Sequence, residues 1–222
     1  MGIVAYICLL LCKPFDMNDF DMNDSKTGVR NVNKALPLQA KIEIAIFAAL
    51  ALLLDLLPSI KIATAVSISF SMVPIFIMCF RWGVKGGALS GLLWGLLQLA
   101  TGTAYILTAL QTFIEYIVAF AFIGFGGIFS QSIKTNLANN NRSKAFVLIV
   151  LSLVIGSFAR YVWHFIAGII FWGSYAPKGM SALWYSFSMN GISMVGSLIA
   201  CLVILSLLIP SASRMIVTKS HS

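Results

Sequence analysis

Carboxylates are scarce in this chain and crowd toward its beginning: Asp16, Asp19, Asp21, Asp24, Glu43 and Asp55 come early, and the remaining acid is Glu115. Histidine is rarer still, with His164 and His221 far apart, so a metal site built from clustered histidines or paired acids has nothing to draw on. The cysteines Cys8, Cys12, Cys79 and Cys201 have no His or Asp beside them at ligand spacing, which excludes a disulfide framework as well as a metal centre. No Gly-x-x-x-x-Gly-Lys-Ser/Thr run occurs, so the chain has no phosphate-cradling loop with which to hydrolyse ATP. Charged residues make up 10% of the whole, against about a quarter in soluble globular domains, and that excludes a water-soluble fold.

What the chain has instead is apolar surface. Hydrophobic residues account for 59% of it and mean hydropathy is +0.94. A spanning helix needs roughly 20 apolar residues, so the length allows about six or seven spans and no separate soluble domain. Hydropathy places them at roughly 42–57, 62–80, 86–102, 105–130, 145–172 and 186–209. The expectation is an all-α integral membrane protein, a bundle of six transmembrane helices over 41–212 with a tail at 213–222. Lys26, Arg30, Lys34 and Lys41, then Arg81 and Lys85, then Lys134, Arg142 and Lys144, then Arg214 and Lys219 fall on one side, and Lys61 and Lys178 on the other. The positive-inside rule then puts both termini in the cytoplasm. The net charge of +8 is dispersed between apolar runs, which speaks for topology and against nucleic acid. Residues 1–40 read as disordered or as an upstream extension: the apolar run at 4–12 is too short to span, Asp-Met-Asn-Asp occurs twice after it, and Met22 is a candidate start.

Polar residues inside spans are costly in lipid and mark function by default. Glu115 lies about ten residues into the fourth span, roughly 15 Å along a helix. It is read as a functional carboxylate, with a structural pairing to Arg160 of the fifth span as the alternative. His164, Gly168 and Trp172 follow at spacings of four and share one helix face, offering a hydrogen-bonding ring, a gap through which a flat ligand could reach the backbone, and an aromatic plate. Tyr105 and Tyr116 flank Glu115, while an aromatic-rich outer loop at 174–185 ends in Tyr185, with Asn190 beyond it. Such a mixture suits a small, flat, partly cationic heteroaromatic molecule. Gly87, Gly91 and Gly95 form a small-residue stripe for packing within the bundle, and Trp94 is expected on the side away from the site.

The runs Gly-Thr-Ala-Tyr-Ile-Leu at 102–107, Phe-Ile-Glu-Tyr at 113–116, His-Phe-Ile-Ala-Gly-Ile-Ile-Phe-Trp at 164–172, and Tyr185-Ser186 with Asn-Gly-Ile-Ser at 190–193 resemble the signature segments of the thiamine-specific S components of bacterial energy-coupling-factor transporters. The resemblance covers about residues 37–210. It implies a multi-pass cell-membrane subunit that captures thiamine from outside and works with a transmembrane coupling protein and two ATPase subunits, itself no enzyme and needing no cofactor. By that resemblance Glu115 binds the aminopyrimidine, Trp172 stacks on a ring, His164, Tyr185 and Asn190 complete the polar contacts, and Tyr105, Tyr116 and Gly168 line the pocket. Ala45 and Ala49 resemble the family's small-residue docking stripe on the first helix. The first outer loop, 58–65, departs from the family pattern in lacking an aromatic residue.

Three other readings stand beside this one. An intramembrane enzyme using His164 and Glu115 as acid and base lacks a second carboxylate, a histidine cluster or a Ser or Cys nucleophile next to His164 in sequence. A proton-coupled transporter working through Glu115 would carry inverted repeats, and none is evident. An S component for another vitamin is the third.

Overall fold

The computed structural model describes residues 36–56, 60–63 and 66–216. Met22, the rest of the expected extension through residue 35, and the end of the expected tail lie outside the described residues, as do Pro58, Ser59, Thr64 and Ala65 of the first outer loop.

Helix α1 spans Leu38–Asp55. Ala40, Ile44, Phe47, Ala48, Ala51 and Leu52 recur at helical spacing and are buried, while Ala45, Ala49 and Leu53 face outward. A two-stranded antiparallel hairpin follows, β1 (Ile60–Ala63) and β2 (Val66–Ile68), pairing Ile60 with Ile68 and Lys61 with Ser67. The expected second span at 62–80 therefore begins too early, because its first residues form this hairpin and the helix starts at Met72. Val, Ile and Thr are frequent there, and such β-branched residues serve a strand as readily as an apolar span.

Helix α2 covers Met72–Ala100, but its backbone leaves the helical region at Gly83 (φ 69, ψ −161). A Cβ placed on Gly87 would lie 3.4 Å from the Cα of Cys79, whereas residues eight apart on a straight helix are about 12 Å apart. The chain thus folds back at Gly83, where positive φ costs glycine nothing. The first limb, 72–82, is buried almost throughout, from Met72 to Arg81. A helix apolar on all sides belongs in the middle of a bundle.

Helix α3 runs over Ala109–Ala138, α4 over Arg142–Phe171 and α5 over Ala182–Ile216. The second limb of α2 meets α3 through glycine. Side chains at Gly91 and Gly95 would collide with the carbonyls of Phe120 and Tyr116, so the glycine stripe is spent on contact within the bundle. Gly126 and Gly156 likewise leave room for the ring of Phe76, between α3 and α4.

Among the described residues, four helices are long and apolar enough to cross a membrane: α2, α3, α4 and α5 over Ala182–Leu208. Val195, Ile199, Val203 and Leu207 line an exposed apolar face of α5 that water would not tolerate and lipid solvates. The protein is a multi-pass membrane protein. Arg81 and Lys134 gather at one end of the bundle, where Glu43 of α1 pairs with Arg81 at 2.6 Å, Trp82 donates to Glu43 at 2.7 Å and Lys134 donates to the Arg81 carbonyl at 2.9 Å. The hairpin lies near the other end, with Ile68 against Gly196 of α5 and the Ser69 amide donating to Ser197 at 3.2 Å.

Candidate substrate-binding site

The carboxylate of Glu115 sits in an unusual stretch of α3. Residues Phe113–Val118 form a π-helical turn, framed by α-helical turns at Ala109–Thr112 and Ala119–Phe122. Such wide turns rotate side chains off the regular helical register and recur at functional sites. Here the turn carries both Glu115, 8% exposed, and Tyr116. Tyr105, expected within the fourth span, lies ahead of it instead. Gly102 takes φ 71 after α2, and Thr108 caps α3 by accepting from the Gln111 amide at 3.1 Å, so the helix begins at Ala109.

Both oxygens of Glu115 accept hydrogen bonds: Oε1 from the indole Nε1 of Trp172 at 2.9 Å, and Oε2 from Nε2 of Gln111. Tyr105 stacks at a tilt on Trp172, with ring centroids 5.2 Å apart, and its amide donates to the Tyr116 hydroxyl at 2.8 Å. Tyr175 also packs against Trp172, with ring centroids 5.5 Å apart. The expected meeting of Glu115, Tyr105, Tyr116 and Trp172 is thus present in space.

Arg160 does not pair with Glu115. Its Nε donates to Nε2 of His164 at 3.2 Å, and its guanidinium lies 4.4 Å from the Phe120 ring centroid and 5.2 Å from that of Trp94. Among the described residues no carboxylate comes within ion-pair distance of it, and the pairing with Glu115 gives way to cation–π contact.

Next to this cluster is a cavity of about 390 Å³. Tyr116, His164 and Asn190 line it, with Arg160, Tyr161, Trp94, Gln98 and Asp55. Tyr116 joins the Glu115 cluster to the cavity. Trp94 corrects the sequence expectation: it points into the site, where its Nε1 donates to Oδ2 of Asp55 at 2.9 Å. The signal was present in Gln98, one turn further along α2, whose amide also donates to Asp55. A polar side chain one turn from a buried indole marks an inward face.

Gly168 serves a different contact from the one expected. A Cβ there would collide with the Ser186 hydroxyl and lie 2.9 Å from Nδ2 of Asn190, so the gap is filled by α5. Ser186 donates to the Phe165 carbonyl at 2.7 Å and Asn190 to the His164 carbonyl at 3.3 Å, locking α5 onto α4. Tyr185 stands beside this contact, half-buried at the top of α5, and is not part of the cavity wall. Asp55, Gln111 and Trp94 are the residues that sequence reasoning missed. Among the described residues no three His, Cys, Asp or Glu side chains are grouped as a metal would require.

A family model described as "Thiamine transporter protein (Thia_YuaJ)" matches residues 41–217. The chain belongs to this family. Among its relatives, the thiamine transporter ThiT of Bacillus subtilis is 40% identical over 187 residues, covering 83% of this chain and 97% of that protein. ThiT of Lacticaseibacillus paracasei is 34% identical over 181 residues, covering 80% and 90%. The solved structure of ThiT from Listeria monocytogenes superimposes with a TM-score of 0.78 at 41% identity, over 80% of this chain and 97% of that one. Likeness of this extent reaches from α1 to α5, so it takes in the cavity and the Glu115 cluster together.

Proposed function

We propose that this protein takes up thiamine, capturing it outside the cell as the specificity subunit of an energy-coupling-factor importer. The observation that carries the reading is the cavity of about 390 Å³, within the roughly 300–1,000 Å³ range of small-molecule sites and walled by polar side chains interleaved with aromatic rings, in a chain of the thiamine transporter family. With the hairpin and the short limb 72–82 taken together as one crossing and the second limb of α2 as another, the chain crosses the bilayer six times and leaves both termini in the cytoplasm. The gathering of Arg81, Lys134 and the start of α1 at one end supports that orientation, and Ser69, directly after the hairpin, is part of the cavity wall.

In this reading Glu115 accepts the amine of the aminopyrimidine, Trp172 and Tyr105 supply ring surface, and Tyr116, His164 and Asn190 orient the molecule. Tyr185 contributes from the rim, and Gly168 by allowing α5 to bring Asn190 close. ATP hydrolysis falls to the partner ATPases, and the transmembrane coupling protein docks on Ala45 and Ala49. Those two alanines face outward one turn apart while Phe47 and Ala48 face the core, which leaves a narrow strip for a partner helix.

Titration of the purified protein with thiamine tests the reading. Saturable quenching of tryptophan fluorescence is expected without any ATPase present, because Trp94 and Trp172 both lie at the site. Quenching by a different vitamin, with none by thiamine, would leave the transporter class and replace the substrate.

A further inference from the structure

The charged groups of the site do not balance. The site holds two carboxylates, Asp55 in the cavity wall and Glu115 in the cluster beside it, and one guanidinium, Arg160. Both carboxylates accept hydrogen bonds on both oxygens, as the ionised form does. For Asp55 the donors are Trp94 Nε1 at 2.9 Å and Gln98 Nε2 on Oδ2, and the Ser69 hydroxyl at 3.3 Å on Oδ1. All of them are neutral. His164 accepts from Arg160 through Nε2, so its ring is uncharged as well. The site is therefore one positive charge short, and a net charge held within a membrane bundle is costly unless a counter-charge arrives.

The two acids are not equivalent. Glu115 is covered by Trp172 and Gln111 and is not part of the cavity wall, whereas Asp55 lines the cavity directly. Arg160 also lines it, but its guanidinium is held on the faces of Phe120 and Trp94, and no ion pair joins it to Asp55 within 4.0 Å. Asp55 is thus a carboxylate kept ready by three neutral donors, in the cavity wall, with no cation in contact.

Resting on the proposed thiamine site, we infer that Asp55 is the counter-ion of the ligand's fixed positive charge, the thiazolium ring, and that Trp94, Gln98 and Ser69 are positioning residues that hold it. The division of labour follows from the chemistry. A ring with a permanent charge and no N–H to donate needs a nearby anion, which Asp55 provides, while an amine needs an acceptor, which Glu115 provides. With a monocation bound, two anions face two cations and the site is neutral. Asp55 also closes α1, the helix that carries Ala45 and Ala49, so the charge that recognises the ligand sits on the helix proposed to meet the coupling protein.

The test compares thiamine with its thiophene isostere, in which carbon replaces the charged ring nitrogen, on purified wild-type and Asp55→Asn protein. The Asn variant should bind thiamine at least about tenfold more weakly, the order expected for losing a charged partner, and the isostere within about threefold of wild type. Asp55→Glu should restore part of the preference for thiamine. Parallel weakening toward both molecules would make Asp55 a structural residue, and unchanged thiamine binding would remove it from the site; either result overturns the inference while the thiamine reading stands. Wild-type protein that binds neither molecule overturns the substrate reading and this one with it. If the Asn variant is not recovered folded, Asp55→Ser, which keeps an acceptor for Trp94 and Gln98, is read by the same ratio.

Discussion

Trp172 donates its indole N–H to Glu115 over 2.9 Å, tying the C-terminal end of α4 to the π-helical turn of α3. The bond joins the aromatic plate and the carboxylate that the sequence singled out separately, 57 residues apart. It also means that a ligand amine reaching Glu115 must share its oxygens with Trp172 and Gln111.

Two substitutions separate these contributions. Glu115→Gln keeps the shape and removes the charge, and since a hydrogen bond to a charged group contributes about 1.5–3 kcal/mol, thiamine affinity should fall at least about tenfold. Trp172→Phe keeps a ring for stacking and removes the donor, and should weaken binding less than Trp172→Ala does. Calorimetric titration of detergent-solubilised protein, with a monodisperse elution profile as the check on folding, reads all three. Unchanged affinity in the Gln variant with lowered thermal stability would make Glu115 structural.

Trp94 provides a cleaner probe of the cavity wall. It is 1% exposed, so alanine would open a cavity at a cost of about 3–5 kcal/mol and confuse stability with binding. Trp94→Phe removes the N–H that holds Asp55 and retains most of the ring under Arg160. A hydrogen bond to a charged group contributes about 1.5–3 kcal/mol, but Asp55 keeps its donors Gln98 and Ser69, so thiamine affinity should fall by up to about tenfold while the fold persists. Equal affinity would show that Asp55 does not depend on this donor.

Binding and transport should come apart at α1. Ala45→Trp with Ala49→Trp enlarges an outward strip and leaves the core residues Ile44, Phe47 and Ala48 untouched. Thiamine binding by the purified double variant should stay within about threefold of wild type, since distant sites add independently, yet co-purification with the coupling protein and uptake by cells should be lost. Loss of binding in the isolated subunit would place the strip inside the working bundle. The glycine stripe of α2 is no substitute docking face, because α3 already covers it.

That stripe predicts a contrast in stability. Gly95→Ala drives a methyl into the Tyr116 carbonyl and should destabilise by about 1–3 kcal/mol, shifting the backbone that carries the π-helical turn. Gly191→Ala, with nothing near the added carbon in α5, should leave the unfolding temperature unchanged or raise it, as alanine favours a helix by up to about 1 kcal/mol. Thermal unfolding of the two variants in the same detergent checks the difference.

The membrane setting was legible in the sequence because hydropathy is a local sum: each run of apolar residues reports its own solvent, whatever its neighbours in space. The gathering of Arg81 and Lys134 at one end was legible for the same reason, since loop charge is counted along the chain. Glu115 and His164 were legible as candidate site residues because ionisable side chains are costly in lipid and stand out against it. What the tertiary structure decided is which faces meet. Limb 72–82 is buried almost throughout and carries no polar stripe to orient it, and Trp94 lies among glycines whose partner, the backbone of α3, leaves no mark on the local pattern. The fold-back at Gly83, the π-helical turn under Glu115 and the arrival of Asp55 in the cavity wall all depend on packing between segments distant in sequence. Residues such as Asp55 take their role from neighbours contributed by another helix, and no window along one helix contains them.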